Sequence, residues 1–128
     1  IRKNSVELKF NVVVEIIAGK DIVVIDDSIM RGNTLKYVIK IMREYGAKSV
    51  HVRIASPPVK YPDYYGIDTR EEAELLASKH SLEEIAKIID ADSLAYLPID
   101  DFVNSTGLPK QQLCLSCFNG EYPIPVPK

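Results

Sequence analysis

Asp21 to Leu35 reads D-I-V-V-I-D-D-S-I-M-R-G-N-T-L, and the order of residue types in this stretch decides the fold. A β-branched run, Ile22-Val23-Val24-Ile25, ends in two adjacent carboxylates, Asp26 and Asp27. Four apolar residues without alternation are expected of a central parallel strand covered on both faces. A short loop follows with Ser28, Arg31, Gly32 and Asn33, and helical spacing begins at Thr34. A strand that ends in acid, turns through glycine and restarts as a helix presents backbone N–H groups at the helix N-terminus, where an anion can sit. The carboxylates beside it can accept hydrogen bonds from hydroxyls of the same ligand. Anion donors next to hydroxyl acceptors describe a site for a phosphorylated sugar.

Upstream, Val6, Leu8 and Phe10 alternate with Glu7 and Lys9, a period that predicts a half-buried strand. Val12 to Ile17 continues apolar, and Ala18-Gly19-Lys20-Asp21 predicts a turn. Downstream, Leu35, Val38, Ile39, Met42 and Tyr45 fall at helical spacing with a wide apolar face, and Gly46 stops the helix at C′. Ser49 to Ala55 predicts a second strand, closed by Pro57 and Pro58, which cannot continue a central ladder. Strand, loop, helix and strand then make one right-handed βαβ unit.

Tyr61 to Asp68 (Y-P-D-Y-Y-G-I-D) is aromatic and turn-rich, which places it on the surface near the carboxyl edge of the sheet. Two capping boxes follow. Thr69 with Glu72 predicts a helix running to about Lys79, and Ser81 with Glu84 opens another whose stripe is Leu82, Ile85, Ala86 and Ile89. Ser93 to Pro98 predicts a third parallel strand, and Asp100 to Thr106 a short helix ended by Gly107. The tail from Gln111 carries Cys114 and Cys117 and finishes P-I-P-V-P-K, which does not pack as regular structure. No internal repeat is visible, and the alternation of strand and helix predicts an α/β protein with a parallel sheet flanked by helices.

Composition narrows the class. At 128 residues and 46% hydrophobic, the chain is long enough for one domain with a real core. The formal charge of −2, with acids and bases interspersed and no basic block, argues against nucleic acid as a partner. No signal-peptide core is present, and no apolar run approaches the roughly eighteen residues of a membrane span. Two cysteines are too few for a secreted disulfide scaffold, so a cytoplasmic setting is expected. Residue 1 is Ile rather than Met, which suggests a piece of a longer product or a lost start.

The full string Asp-Asp-Ser-Ile-x-Arg-Gly-x-Thr, at Asp26 to Thr34, resembles the phosphoribosyl pyrophosphate (PRPP) loop of the type I phosphoribosyltransferases. Its Ser-Ile-x-Arg-Gly portion looks like the amidophosphoribosyltransferase branch, the glutamine phosphoribosylpyrophosphate amidotransferases. V-E-L-K-F-N, R-E-Y-G-A-K-S-V-H-V-R-I-A-S-P-P, Y-Y-G-I-D-T, S-L-E-E-I, A-D-S-L-A-Y-L and C-L-S-C-F-N-G-E-Y-P resemble the same family in the same order. Only the C-terminal part of that enzyme is matched. The resemblance implies an incomplete type I phosphoribosyltransferase domain at 1–110 with a C-x-x-C tail at 111–128. It also implies formation of 5-phosphoribosylamine from PRPP and glutamine-derived ammonia, at the start of purine synthesis.

Carried over by residue, Asp26 and Asp27 are the implied catalytic pair, binding the ribose hydroxyls and helping to hold Mg²⁺. Ser28, Ile29, Met30, Arg31, Gly32, Asn33 and Thr34 are the implied cradle of the 5-phosphate, of PRPP or of nucleotide 5-monophosphates. A homo-oligomer is implied, as is a glutaminase domain in the full-length product or a partner chain. Cys114 and Cys117 resemble a pair that, in one branch, supplies two of the four ligands of a [4Fe–4S] cluster. This chain departs from the pattern in several places. Asn33 stands where Thr is expected, Val12-Val13-Val14 replaces a segment that tends to carry Pro and Arg, and Asp63 stands at the third cluster ligand. The family's glutaminase domain and the upstream strand and loop that grip the pyrophosphate are also absent from this sequence, so the chain alone is expected to be inactive. Two other readings stay open: a non-catalytic PRPP- or nucleotide-sensing module, and a type I phosphoribosyltransferase acting on a nucleobase. His51 and His80 are expected to be packing or surface residues.

Overall fold

The computed structural model describes residues 14–66, 69 and 71–126. The strand expected at Val6 to Phe10 and the Val12-Val13 positions lie outside the described residues. A short helix α1 (Val14–Ile17) precedes strand β1 (Asp21–Asp26), and helix α2 (Asn33–Glu44) leads to β2 (Ser49–Ile54). After an extended loop come α3 (Leu76–Lys79), α4 (Leu82–Ile89), β3 (Ser93–Tyr96), α5 (Ile99–Ser105) and α6 (Ser116–Asn119). The strands form one parallel sheet in the order β1-β2-β3, with Asp21 opposite Ser49 and His51 opposite Ser93.

Strand periodicity sorts the two faces. Val50, Val52 and Ile54 of β2 and Leu94 of β3 point into one core with Leu35 and Ile39 of α2 and Ile85 and Ile89 of α4. Both long helices therefore cover the same face. The opposite face carries a polar chain: Ser49 donates to Asp21 at 2.6 Å, and His51 lies between Ser49 at 3.0 Å and Ser93 at 2.7 Å. Strand β1 is not covered on both faces, contrary to what its unbroken apolar run predicts. Val23 and Ile25 are 60% and 75% exposed, because among the described residues no helix packs on that face.

Local signals set the other boundaries. Gly46 takes φ 88°, a left-handed conformation that L side chains rarely adopt, and ends α2 as its position predicts. The box at Ser81 forms as read: Ser81 Oγ accepts from Glu84 N at 3.2 Å, and Glu84 Oε2 accepts from Ser81 N at 2.7 Å. The box at Thr69 does not form. Thr69 Oγ1 instead accepts from Asp63 N at 2.9 Å, and only a 3-10 turn (Glu72–Glu74) and α3 take the place of the expected helix. Leu75 between them is extended and buried, and Leu76 N donates to Met30 O at 2.9 Å rather than to its own turn. Tertiary contact with the central loop overrides the local cap.

The tail is tied down at its start. Cys117 O accepts from Lys60 N and Tyr61 N, at 2.9 and 3.1 Å, while Leu115 and Ser116 are buried. Tyr122 Oη donates to Pro62 O at 2.8 Å, and Tyr65 Oη donates to Ile124 O at 2.9 Å. Residues 123–126, the described part of the P-I-P-V-P-K end, hold no helix or strand, as expected.

One carboxylate joins the layers. Asp92 Oδ2 accepts from Val50 N at 2.6 Å and from Arg43 Nη2 at 3.1 Å. The Val50 amide first, and the Arg43 guanidinium with it, hold this carboxyl below its ordinary value of 3.8. A lowered native pKa means that the stabilisation is complete above the unfolded value and fades as pH falls through the native one. Asp92→Asn keeps an acceptor for Val50 and removes the titration. Denaturant melts between pH 6 and pH 3 should therefore show a flatter acid limb in the variant than in the parent.

Candidate functional site

The loop after β1 is held from both ends. Asp26 O accepts from Ala55 N at 2.9 Å, which fixes the strand end against β2. Ile29, 2% exposed, plugs the middle of the loop into the core. The Met30 carbonyl takes the Leu76 amide, and the Arg31 guanidinium pairs with the Glu74 carboxylate. Gly32 then turns at φ 75° into α2. A Cβ there would meet Leu76 Cδ1 at 2.7 Å and Ile89 Cγ2 at 3.2 Å, so both the dihedral and the close approach call for glycine. Gly32→Ala should cost about 1–2 kcal/mol from the left-handed backbone alone. Urea unfolding measures this loss.

A cavity of about 730 Å³ opens over this loop, lined by residues 26 through 35 with Thr69, Glu74 and Leu75. All nine residues singled out in the sequence, Asp26 to Thr34, share it. Helix α2 begins at Gly32 without any side-chain cap. The first amides of a helix have no intrahelical acceptor, so this end offers donors and a positive dipole end to an anion. At its rim, Asp27 N donates to Asp26 Oδ1 at 3.0 Å, and Ser28 Oγ donates to Asp27 Oδ1 at 2.8 Å. These local bonds use one oxygen of each carboxylate.

That donor set suits Mg²⁺, which takes one or two protein carboxylates and completes its shell with water and substrate phosphate. It suits no all-protein cage: among the described residues no group of three or more His, Cys, Asp and Glu could hold a metal. The cysteines do not join the loop cavity. Cys114 lines a separate one of about 410 Å³ with Lys110, Tyr122 and neighbours. Burial, and then the charge of Asp63, push the Cys117 thiol up to about 11, so it stays protonated at neutral pH. Asp63 Oδ1 accepts from Tyr65 N at 2.7 Å and Gly66 N at 3.0 Å, closing a turn. Asp63, at the position of the third implied cluster ligand, is a hard carboxylate already committed to a turn, a poor match for a thiolate-held cluster.

Thr69, Glu74 and Leu75 are the cavity residues that motif reading missed. No spacing rule brings them to the loop, since Glu74 reads as one more acid on a helix. His51 and His80 sit where expected, in the sheet-face chain and beside Glu84 on the surface.

Comparison with known proteins supplies the context for this geometry. The family described as "Phosphoribosyl transferase domain" matches residues 2–63. The amidophosphoribosyltransferase of Methanothermobacter thermautotrophicus is 47% identical over 126 residues, covering 98% of this chain and 27% of its own length. That of Synechocystis is 44% identical over 127 residues, covering 99% of this chain and 26% of its own. Among solved structures, the glutamine PRPP amidotransferase from B. subtilis complexed with ADP and GMP superposes with TM-score 0.81 at 40% identity. The match covers 94% of this chain and 28% of that one. The chain thus spans about a quarter of the length of the relatives it matches. Among the described residues no helix is long and apolar enough to cross a membrane.

Proposed function

The chain belongs to the amidophosphoribosyltransferase family, and from that premise we propose that its Asp26–Thr34 loop binds PRPP for transfer of ammonia to the ribose. The observation that carries this reading is the uncapped start of α2, opening into one cavity with two strand-end carboxylates. The loop amides and the hydroxyls of Ser28 and Thr34 take the 5-phosphate, and Gly32 lets the backbone approach it. Asp26 and Asp27 accept hydrogen bonds from the ribose 2- and 3-hydroxyls.

Ammonia, freed from glutamine by a glutaminase domain of the full-length product or a partner chain, forms the new C1–N bond. The C1–O bond to pyrophosphate breaks, pyrophosphate leaves, and the amine loses a proton to solvent. Positive charge grows on the ribose ring as the leaving group departs. Two fixed carboxylates near the ring oppose that charge, and fixing both ends of the sugar removes orientational freedom before reaction. Mg²⁺, when bound at Asp26 and Asp27 with the pyrophosphate, supplies charge neutralisation to the leaving group. The same cradle accepts nucleoside 5-monophosphates through their own phosphate, in a cytoplasmic protein that works as a homo-oligomer.

Calorimetric titration with PRPP tests the reading. Saturable binding that strengthens on adding Mg²⁺ and is displaced by GMP is the expected result. Heat of dilution alone, with and without Mg²⁺, would remove the assignment.

A further inference from the structure

Arg31 is the one basic side chain among the described residues lining the loop cavity, and it already has a partner. Its guanidinium pairs with the carboxylate of Glu74, on the 3-10 turn across the cavity. Glu74 lines the same cavity. The pair is open to solvent, with side chains 58% and 40% exposed, so it is the kind of ion pair that water and competing ions can break. The fixed part of the loop does not depend on it. Ile29 in the core and the Leu76 amide on Met30 O hold the backbone, which leaves the Arg31 side chain able to change partner while the loop stays in place.

We propose that Glu74 is a resident counter-ion for Arg31, displaced when a phosphoryl group of a phosphorylated sugar enters the cavity. This rests on the reading of the loop as a phosphate site. In the open cavity Glu74 keeps Arg31 at the rim and out of the bed of amides. A phosphoryl dianion offers the guanidinium a bidentate acceptor of higher charge than a carboxylate, so exchange is favourable. Glu74 thereby weakens phosphoryl binding through Arg31, and selects for ligands that carry enough charge to win the exchange. It acts as a positioning residue: it sets where Arg31 lies and touches no reacting atom.

The test is calorimetric titration of the full chain with ribose 5-phosphate, for the parent, Glu74→Gln, Arg31→Gln and the double variant. Glu74→Gln should tighten binding about two- to fivefold, the range available to an exposed ion pair. Arg31→Gln should weaken it, and adding Glu74→Gln to Arg31→Gln should then change nothing. Equal tightening in both backgrounds would mean simple charge repulsion and would overturn the proposal. Unchanged or weaker binding in Glu74→Gln would overturn it as well. If the parent itself fails to bind ribose 5-phosphate, the phosphate-site reading falls and the counter-ion with it. Binding by the parent with no response to Glu74→Gln removes the counter-ion alone.

Discussion

Replacing Asp26 and Asp27 together by asparagine should weaken binding of PRPP with Mg²⁺ by tenfold or more. The substitutions keep side-chain shape and leave an oxygen for each local bond, to the Asp27 amide and the Ser28 hydroxyl. Fold stability should therefore change little. What disappears is two negative charges at the strand end. A hydrogen bond to a charged acceptor is worth about 1.5–3 kcal/mol, roughly twice a neutral one, so losing charge at two acceptors exceeds the 1.4 kcal/mol of a tenfold change. Mg²⁺ affinity at the site falls in the same step.

The sign for a different probe makes the result specific. Inorganic phosphate has no hydroxylated ring for the aspartates to hold, and two carboxylates beside its cradle repel it. The double variant should bind inorganic phosphate as well as the parent or better, while PRPP with Mg²⁺ is weakened. Unchanged PRPP affinity by calorimetry would sink the assignment of these residues. A parallel loss for both probes would point instead to a disturbed loop.

Much of this molecule was legible because its signals are periodic and short-range. The β-branched run at Ile22, the 3.6-residue spacing of α2 and the Ser81–Glu84 box each specify an element without reference to the rest of the chain. That the nine candidate residues would meet was legible for the same reason, since a strand end, a glycine turn and a helix start place contiguous residues around one cavity. What escaped depends on contacts distant in sequence. Thr69 has the letters of a capping box, but its hydroxyl is claimed by the Asp63 amide, and Leu75 is buried in an extended conformation that interrupts the helix. Glu74 lines the cavity from the 3-10 turn that stands in place of that helix. The coverage of β1 also misled, because a run of apolar residues reports composition and not which face the crossover helices choose. Its exposed Val23 and Ile25 are apolar in sequence and uncovered in the described fold.

Ile89→Ala should be the most destabilising of the single substitutions considered, at about 2–5 kcal/mol, the range for truncating a fully buried branched side chain. Ile89 is 0% exposed, sits in the cluster shared by α2, α4 and the sheet, and has close-packed neighbours with little room to collapse. Its position makes the loss informative about the site as well. Ile89 Cγ2 lies 3.2 Å from where a Gly32 Cβ would stand, so this side chain is part of the floor under the loop after β1. Removing it opens space on the side that Gly32→Ala would crowd. The two changes should then be partly non-additive: in the Ile89→Ala background Gly32→Ala loses the share of its steric cost that comes from Ile89, and keeps the closer Leu76 contact and the cost of a positive φ. Urea unfolding of the four proteins of that cycle, with equal m values, measures the coupling. A double variant whose loss equals the sum of the single losses would mean that floor and loop do not touch in solution. The close packing of Ile89 would then explain stability and leave the loop's conformation to Gly32 alone.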